Sequence, residues 1–181
     1  MTFIERTMPP AQPVYVMAKP PRDVAHYIAQ QRRLLRINGS YGAERFHVTL
    51  LPLGERGSLS PDDLALIELI IAASRIEPVD ISFNRLRGNR LAGTGMRNVK
   101  GLQHTLVSCL GAGGVALPQY RFDPHLTLAY GVPPQQSASI APIGWRIDAL
   151  ELIVSHHGFG RHETVCRWPL TTRQLVLPFT A

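Results

Sequence analysis

The sequence predicts an α+β fold built mainly on antiparallel sheet and arranged as two similar lobes. Three observations carry this. Short apolar runs with period-two alternation recur along the chain and are joined by hairpin-like turns. Only three segments space their apolar residues as a helix does. And one phrase is written twice, "RFHVTL" at 45–50 and "RFDPHLTL" at 121–128, the second differing mainly by an inserted Asp123-Pro124. Two copies about half a chain apart fit two halves of one small domain.

Taken in order, residues 1–12 read as a flexible N-terminal tail closed off by Pro9, Pro10 and Pro13, and 13–181 as a single bilobal domain. "VYVMAK" (14–19) is a strand. Pro21 suits a helix's first turn, and Val24, Tyr27, Ile28, Leu34 and Leu35 form an apolar stripe, so 21–36 is a helix. "NGSYGAE" (38–44) is a loop, "RFHVTLL" (45–51) a strand and "PLGERGS" (52–58) another loop. "SPDD" (60–63) opens a second helix running to about Arg75: Ser60 caps, Pro61 takes the first position, and two acids meet the positive end of the dipole. "VDISFNRL" (79–86) alternates Val79, Ile81 and Phe83 as a strand, and Gly88-Asn89 turns it into "LAGTGM" (91–96), where Gly93-Thr94-Gly95 reads as a bend. A third helix, 98–111, carries Val99, Leu102, Leu106, Cys109 and Leu110 on one side. "RFDPHLTLAYG" (121–131) is a strand, "VPPQQSASIAP" (132–142) a loop, and three strand-like segments follow near 145–155, 163–170 and 173–179.

Composition narrows the function. The longest apolar run, "ALIELIIAA" (65–73), is too short to span a bilayer and is interrupted by Glu68. The N-terminus lacks the apolar core of a signal peptide, so a cytoplasmic protein without membrane contact is expected. The two cysteines, Cys109 and Cys166, fit no metal spacing or disulfide framework and are read as reduced, partly buried thiols. A net charge of +6, mostly arginine, favours an anionic partner. His156, His157 and His162 match no standard metal spacing, no Gly-rich phosphate loop occurs, and no metal or cofactor is expected. His26 and His104 fall in helices as ordinary residues.

The repeated phrase carries the chemistry. Side chains alternate faces along a strand, so Arg45, His47 and Thr49 share one face and Phe46, Val48 and Leu50 the other. In the second copy Asp123, His125 and Thr127 share a face, with Leu126, Leu128 and Tyr130 opposed. A His and a Thr two positions apart stand about 6.6 Å apart, a span an anion can bridge with hydrogen bonds to both. Two such strands face to face would bracket one phosphate with an imidazole on either side, the layout for in-line displacement at phosphorus. One neutral His takes a proton and one protonated His gives one, both forms being available near neutral pH. The threonines would hold the non-bridging oxygens. Nothing in this argument says which His is which.

At these residues the chain resembles the two-histidine (2H) phosphoesterase superfamily, marked by paired His-x-Thr-x tetrads, here "HVTL" (47–50) and "HLTL" (125–128). Within it the chain is most similar to the bacterial 2′-5′ RNA ligases, also called RNA 2′,3′-cyclic phosphodiesterases, on "VYVMAKP", "RFHVTLLPLG" and "RFDPHLTLAYG" over about residues 13–170. The resemblance implies two pseudo-symmetric lobes, each an antiparallel sheet with outer helices, around a central cleft. It implies metal-independent hydrolysis of an RNA 2′,3′-cyclic phosphate to a 2′-phosphate, reversible as 2′-5′ ligation. It implies His47 as proton donor, His125 as proton acceptor, and Thr49 and Thr127 as phosphate ligands. Arg45, Tyr41 and Tyr120 are further substrate-binding candidates by position. The expected partners are RNA ends or nucleotide cyclic phosphates, met by a monomer. Aromatic content is only 7%, and the 85–95 segment has no run of base-stacking aromatics, which suits a short oligonucleotide or a small cyclic phosphate. Two alternatives stand: a phosphodiesterase for a small cyclic nucleotide or a 2′-5′ oligonucleotide, and a non-catalytic RNA-binding module. Arg85, Arg87 and Arg90 flank the 88–89 turn either as a basic rim or as a solvated hairpin.

Overall fold

The computed structural model describes residues 11–39, 42–156 and 161–172. Among the described residues, two four-stranded antiparallel sheets carry three α-helices. The first sheet contains β1 (Pro13–Ala18), β2 (Val48–Glu55), β7 (Ala149–His156) and β8 (Arg161–Pro169). The second contains β3 (Val79–Arg87), β4 (Arg90–Ala92), β5 (His125–Thr127) and β6 (Ala138–Ile147). The strand orders are β2-β1-β7-β8 and β5-β4-β3-β6. Each tetrad strand, β2 or β5, is therefore the edge of its sheet, and the two edges lie against each other. An edge strand left open is a template for unwanted pairing, and here each tetrad edge is covered by the other lobe.

The helices are α1 (Arg22–Leu34), α2 (Pro61–Ala73) and α3 (Arg97–Ala112). α2 starts as its sequence predicts. The Asp63 N–H donates to Ser60 Oγ (3.1 Å) and the Ser60 N–H donates to Asp63 Oδ2 (2.8 Å), a full capping box behind Pro61. α3 buries Val99, Leu102, Leu106 and Leu110 at one face. On α1 the stripe is narrower than predicted: Ala25 and Ile28 are buried, while Tyr27 and Leu34 face outward. The core is continuous, with Val14, Val16, Ile28, Phe46, Leu50, Phe83, Leu106 and Leu126 all excluded from solvent. Both cysteines are free thiols of intermediate exposure, on α3 and β8. No helix among the described residues is long and apolar enough to cross a membrane.

Five strand readings differ from expectation, each for a traceable reason. The first tetrad strand begins at Val48, not Arg45, because Ala18, the last residue of β1, pairs with Val48. Pro20 and Pro21 follow and cannot extend the ladder. Residues 52–55, read as loop, continue β2, and Pro52 is tolerated because β2 is an edge. The predicted loop 132–142 gives its second half to β6 by pairing with β3, and Pro142 sits on that sheet's other edge. The segment 145–155 is two strands: β6 ends at Ile147 and β7 begins at Ala149, so the chain changes sheets at Asp148. β5 is only three residues long because its partner β4 is equally short. The predicted strand 173–179 lies outside the described residues.

Candidate active site

The two tetrads are held alike. His47 Nδ1–H donates to the Arg45 carbonyl at 2.7 Å, and His125 Nδ1–H donates to the Asp123 carbonyl at 2.7 Å. A carbonyl only accepts, so in each ring Nδ1 carries the hydrogen. Nε2 is then the working nitrogen of both: a base when neutral, an acid when protonated. Both rings line one cleft of about 580 Å³ between the lobes, together with Arg45, Thr49 and Tyr120.

The apolar sides fix this orientation. Phe46, Val48 and Leu50 are buried on one face of the first tetrad, and Leu126 and Leu128 on one face of the second. Arg32 of α1 ties the two together. Its guanidinium lies 5.4 Å over the Phe46 ring, and its Nη1 donates to the Leu128 carbonyl at 3.3 Å. One side chain thus contacts the residue before His47 and the residue after Thr127. Gly39 leaves room for it: a Cβ there would stand 2.8 Å from Arg32 Nη1 and 3.0 Å from the Leu128 oxygen.

The site is not symmetric. His47 is held below the ordinary histidine pKa, first by burial and then by the charges of Lys19, Arg45 and His125, with the bond to the Arg45 carbonyl opposing them. The free site therefore favours neutral His47. Thr127 is buried and lines an adjoining pocket of about 520 Å³, which shares His125 and Tyr130 with the cleft. The Arg-Phe lead-ins are not equivalent either. Arg45 enters the cleft, but the Asp123-Pro124 insertion moves Arg121 two residues farther from its histidine, where it is exposed. Tyr41 lies outside the described residues.

Several cleft residues are ones the sequence does not assign to this site; His156 and His162 stand out in it only as candidate metal ligands. Tyr15 and Met17 come from β1, Ser155 and His156 from β7, and His162 from β8. The His162 ring meets His47 edge-on at 5.0 Å between centroids. His156 Nε2 pairs with Glu163 Oε2 at 2.9 Å. Tyr130, expected on the apolar face, is 60% exposed and lines the cleft, because β5 stops at Thr127 and the alternation stops with it. Burial raises the pKa of Tyr15 and Tyr120, helped by Glu55 and Tyr130 for the first and by Asp123 and Tyr15 for the second. Their hydroxyls stay protonated donors at neutral pH. No group of three or more His, Cys, Asp or Glu among the described residues is placed to hold a metal ion.

A sequence model of the 2′-5′ RNA ligase superfamily matches residues 20–159, a span that holds both tetrads and the helix that bridges them. The chain belongs to that superfamily. Among solved structures it is similar to E. coli LigT in apo form, at 20% identity and a TM-score of 0.69, covering 90% of this chain and 99% of that one. It is similar to E. coli LigT complexed with 3′-AMP, at 21% identity and a TM-score of 0.67 over the same shares. It is also similar to TT0787 of Thermus thermophilus, at 19% identity and a TM-score of 0.66, covering 90% of this chain and all of that one. At these identities the likeness establishes the fold. No curated protein matches the chain in sequence.

Proposed function

We propose that this protein is a metal-independent cyclic phosphodiesterase that opens RNA 2′,3′-cyclic phosphate ends to 2′-phosphates in the cytoplasm. The observation that carries the proposal is the matched pair of histidines. Each comes from a separate lobe, each has Nδ1 committed to the carbonyl two residues back, and both rings line one cleft. Membership of the 2′-5′ RNA ligase superfamily supports phosphoester chemistry.

The cyclic phosphate lies between the rings. Water attacks phosphorus in line with the 3′-oxygen, and His125 Nε2 takes the water proton as the new P–O bond forms. The P–O3′ bond breaks, and His47 Nε2–H gives its proton to the departing 3′-oxygen. The 2′-phosphate remains, and each proton transfer contributes about 10²- to 10⁴-fold. Thr49 binds a non-bridging oxygen from the cleft side and Thr127 from the adjoining pocket, with Arg45 offsetting the charge. Neutral His47 in the free site must gain a proton for this role. The substrate's negative charge counters Lys19, Arg45 and His125 and favours that protonation. With an RNA 5′-hydroxyl in place of the attacking water, the same steps, His125 taking its proton and His47 protonating the departing 3′-oxygen, make a 2′-5′ bond.

The test is product identity. A short RNA with a 2′,3′-cyclic phosphate end is incubated with the protein in EDTA, and the product is read by ³¹P NMR. A 2′-phosphate supports the proposal; a 3′-phosphate means the 2′-oxygen left and overturns the assignment. A second reading, hydrolysis of a small cyclic nucleotide, is favoured by a cleft of about 580 Å³, within the range of small-molecule sites. The same assay with mononucleoside cyclic phosphates addresses it.

A further inference from the structure

The two lobes present different charges to the cleft. In the second sheet, Ala92 stands opposite both His125 and Arg85, while Arg90 stands opposite both Thr127 and Arg87. Residues directly opposed across strands share a face. Arg85, Arg87 and Arg90 therefore project from the face that carries His125 and Thr127, while Leu86, Leu91 and Leu126 are buried on the other. All three arginines are exposed, and Arg87 and Arg90 line the pocket that contains Thr127 and His125. Among the described residues none forms an ion pair with these three, and Asp123 is the one carboxylate lining that pocket. At the usual strand spacing the arginine backbones stand about 5 and 10 Å from β5.

The first sheet is arranged otherwise. Thr49 is opposite Met17, and Met17 is opposite Glu151. Glu151 pairs with Lys19 at 3.1 Å and lies 3.9 Å from Arg167, so these two cations share a carboxylate, and Arg45 is the arginine of this lobe that lines the cleft. Besides Arg45 beside the histidines, this lobe offers a ligand Tyr15, Met17 and the imidazoles of His156 and His162. One lobe suits a base and ribose, and the other a row of phosphates.

We infer that Arg85, Arg87 and Arg90 form a second anion subsite that binds the phosphates on the 5′ side of the terminal nucleotide, so that the protein selects RNA chain ends over mononucleoside cyclic phosphates. This rests on the proposed reaction, with the cyclic phosphate at the histidines. The terminal nucleoside then lies against Tyr15 and Met17, and the chain leaves through its 5′-oxygen over the β3–β4 hairpin. Arginine suits this task because its planar fork grips phosphate with two hydrogen bonds.

The experiment compares a nucleoside 2′,3′-cyclic phosphate, the same nucleotide with a 5′-phosphate, and a trinucleotide with a cyclic end. Each is given to the wild type and to the R85Q/R87Q/R90Q variant, whose changed side chains are exposed. Expected is a wild-type kcat/KM for the trinucleotide at least about tenfold above that for the mononucleoside, collapsing toward parity in the variant, mostly through KM. In parallel, equilibrium binding of a short 2′-phosphorylated RNA is measured against salt. The variant should lose about 0.7 unit of log–log slope for each phosphate contact removed. Equal selectivity and equal slope in both proteins would overturn the subsite while leaving the reaction standing. If the wild type turns over no cyclic phosphate, the reaction fails, and the binding arm still decides the subsite: an unchanged slope overturns it and a reduced slope supports it.

Discussion

Replacing Arg32 by Met tests whether one side chain holds the two tetrads in register. Methionine keeps the apolar stem but removes the guanidinium. Lost are a cation–π contact at 5.4 Å over Phe46 and a charged hydrogen bond at 3.3 Å to the Leu128 carbonyl. The first is worth about 1 kcal/mol in a part-buried setting. The second is long, so it sits near the low end of the range for charged donors, about 1.5 kcal/mol. Arg32→Met should therefore cost about 2–3 kcal/mol in urea unfolding, and about 4–12 °C in Tm. Turnover should fall as well, because the anchor points flank His47 and Thr127. Gly39→Ala reaches the same contact from the other side, its Cβ crowding Arg32 Nη1 and the Leu128 oxygen. Since both changes act on one contact, the double variant should be less destabilised than the sum of the two. A loss below about 0.5 kcal/mol for Arg32→Met, or strict additivity, would refute the bridging role.

Other predictions follow from His47 and from the α2 cap. Inorganic phosphate should raise the His47 pKa toward or above its ordinary value, seen in the NMR titration of the ring C–H, because the anion offsets the neighbouring cations; an unchanged titration would argue that phosphate binds elsewhere. The folded pKa of His47 lies below its unfolded value of about 6.5, so below that pH the unfolded chain takes up a proton the folded chain refuses. Stability should thus fall as pH drops from about 6.5 toward the folded pKa, and His47→Gln should flatten this part of the urea profile. If His47 is the acid, the alkaline limb of kcat should lie at higher pH than that of kcat/KM, because bound substrate raises its pKa; the reverse order would exchange the two histidines' roles. Ser60→Ala, which removes the hydroxyl accepting from the Asp63 N–H, should cost about 1 kcal/mol in thermal unfolding without altering KM.

Much of this architecture was legible because local signals agreed with tertiary ones. The Ser60-Pro61-Asp62-Asp63 start, the Val99–Leu110 stripe and the alternating Val79, Ile81 and Phe83 are readable from periodicity and capping alone. What was not legible depended on partners distant in sequence. Residues 52–55 and 138–142 look like loop because of Pro52 and Pro142, and they are strand because each sits on a sheet edge with a partner to pair with. The same applies to the site. His47 and His125 are marked by their tetrads, but Tyr15, Met17, Ser155 and His162 reach the cleft only through sheet order. Arg121 shows the opposite failure: a sequence match to Arg45 that the Asp123-Pro124 insertion carries out of the site. Strand parity puts Tyr130 on the wrong side because the strand ends three residues earlier.

The central claim is that two imidazoles, one from each lobe, act together on a single cyclic phosphate without a metal. Its most direct test is the pH-resolved hydrolysis, in EDTA, of a short RNA ending in a 2′,3′-cyclic phosphate by the wild type, His47→Ala and His125→Ala, with folding of each checked by circular dichroism. The account predicts a bell-shaped wild-type profile and, in each folded variant, a loss of at least about 10²-fold with the corresponding limb gone. Full activity in either folded variant, or wild-type activity abolished by EDTA, would contradict it.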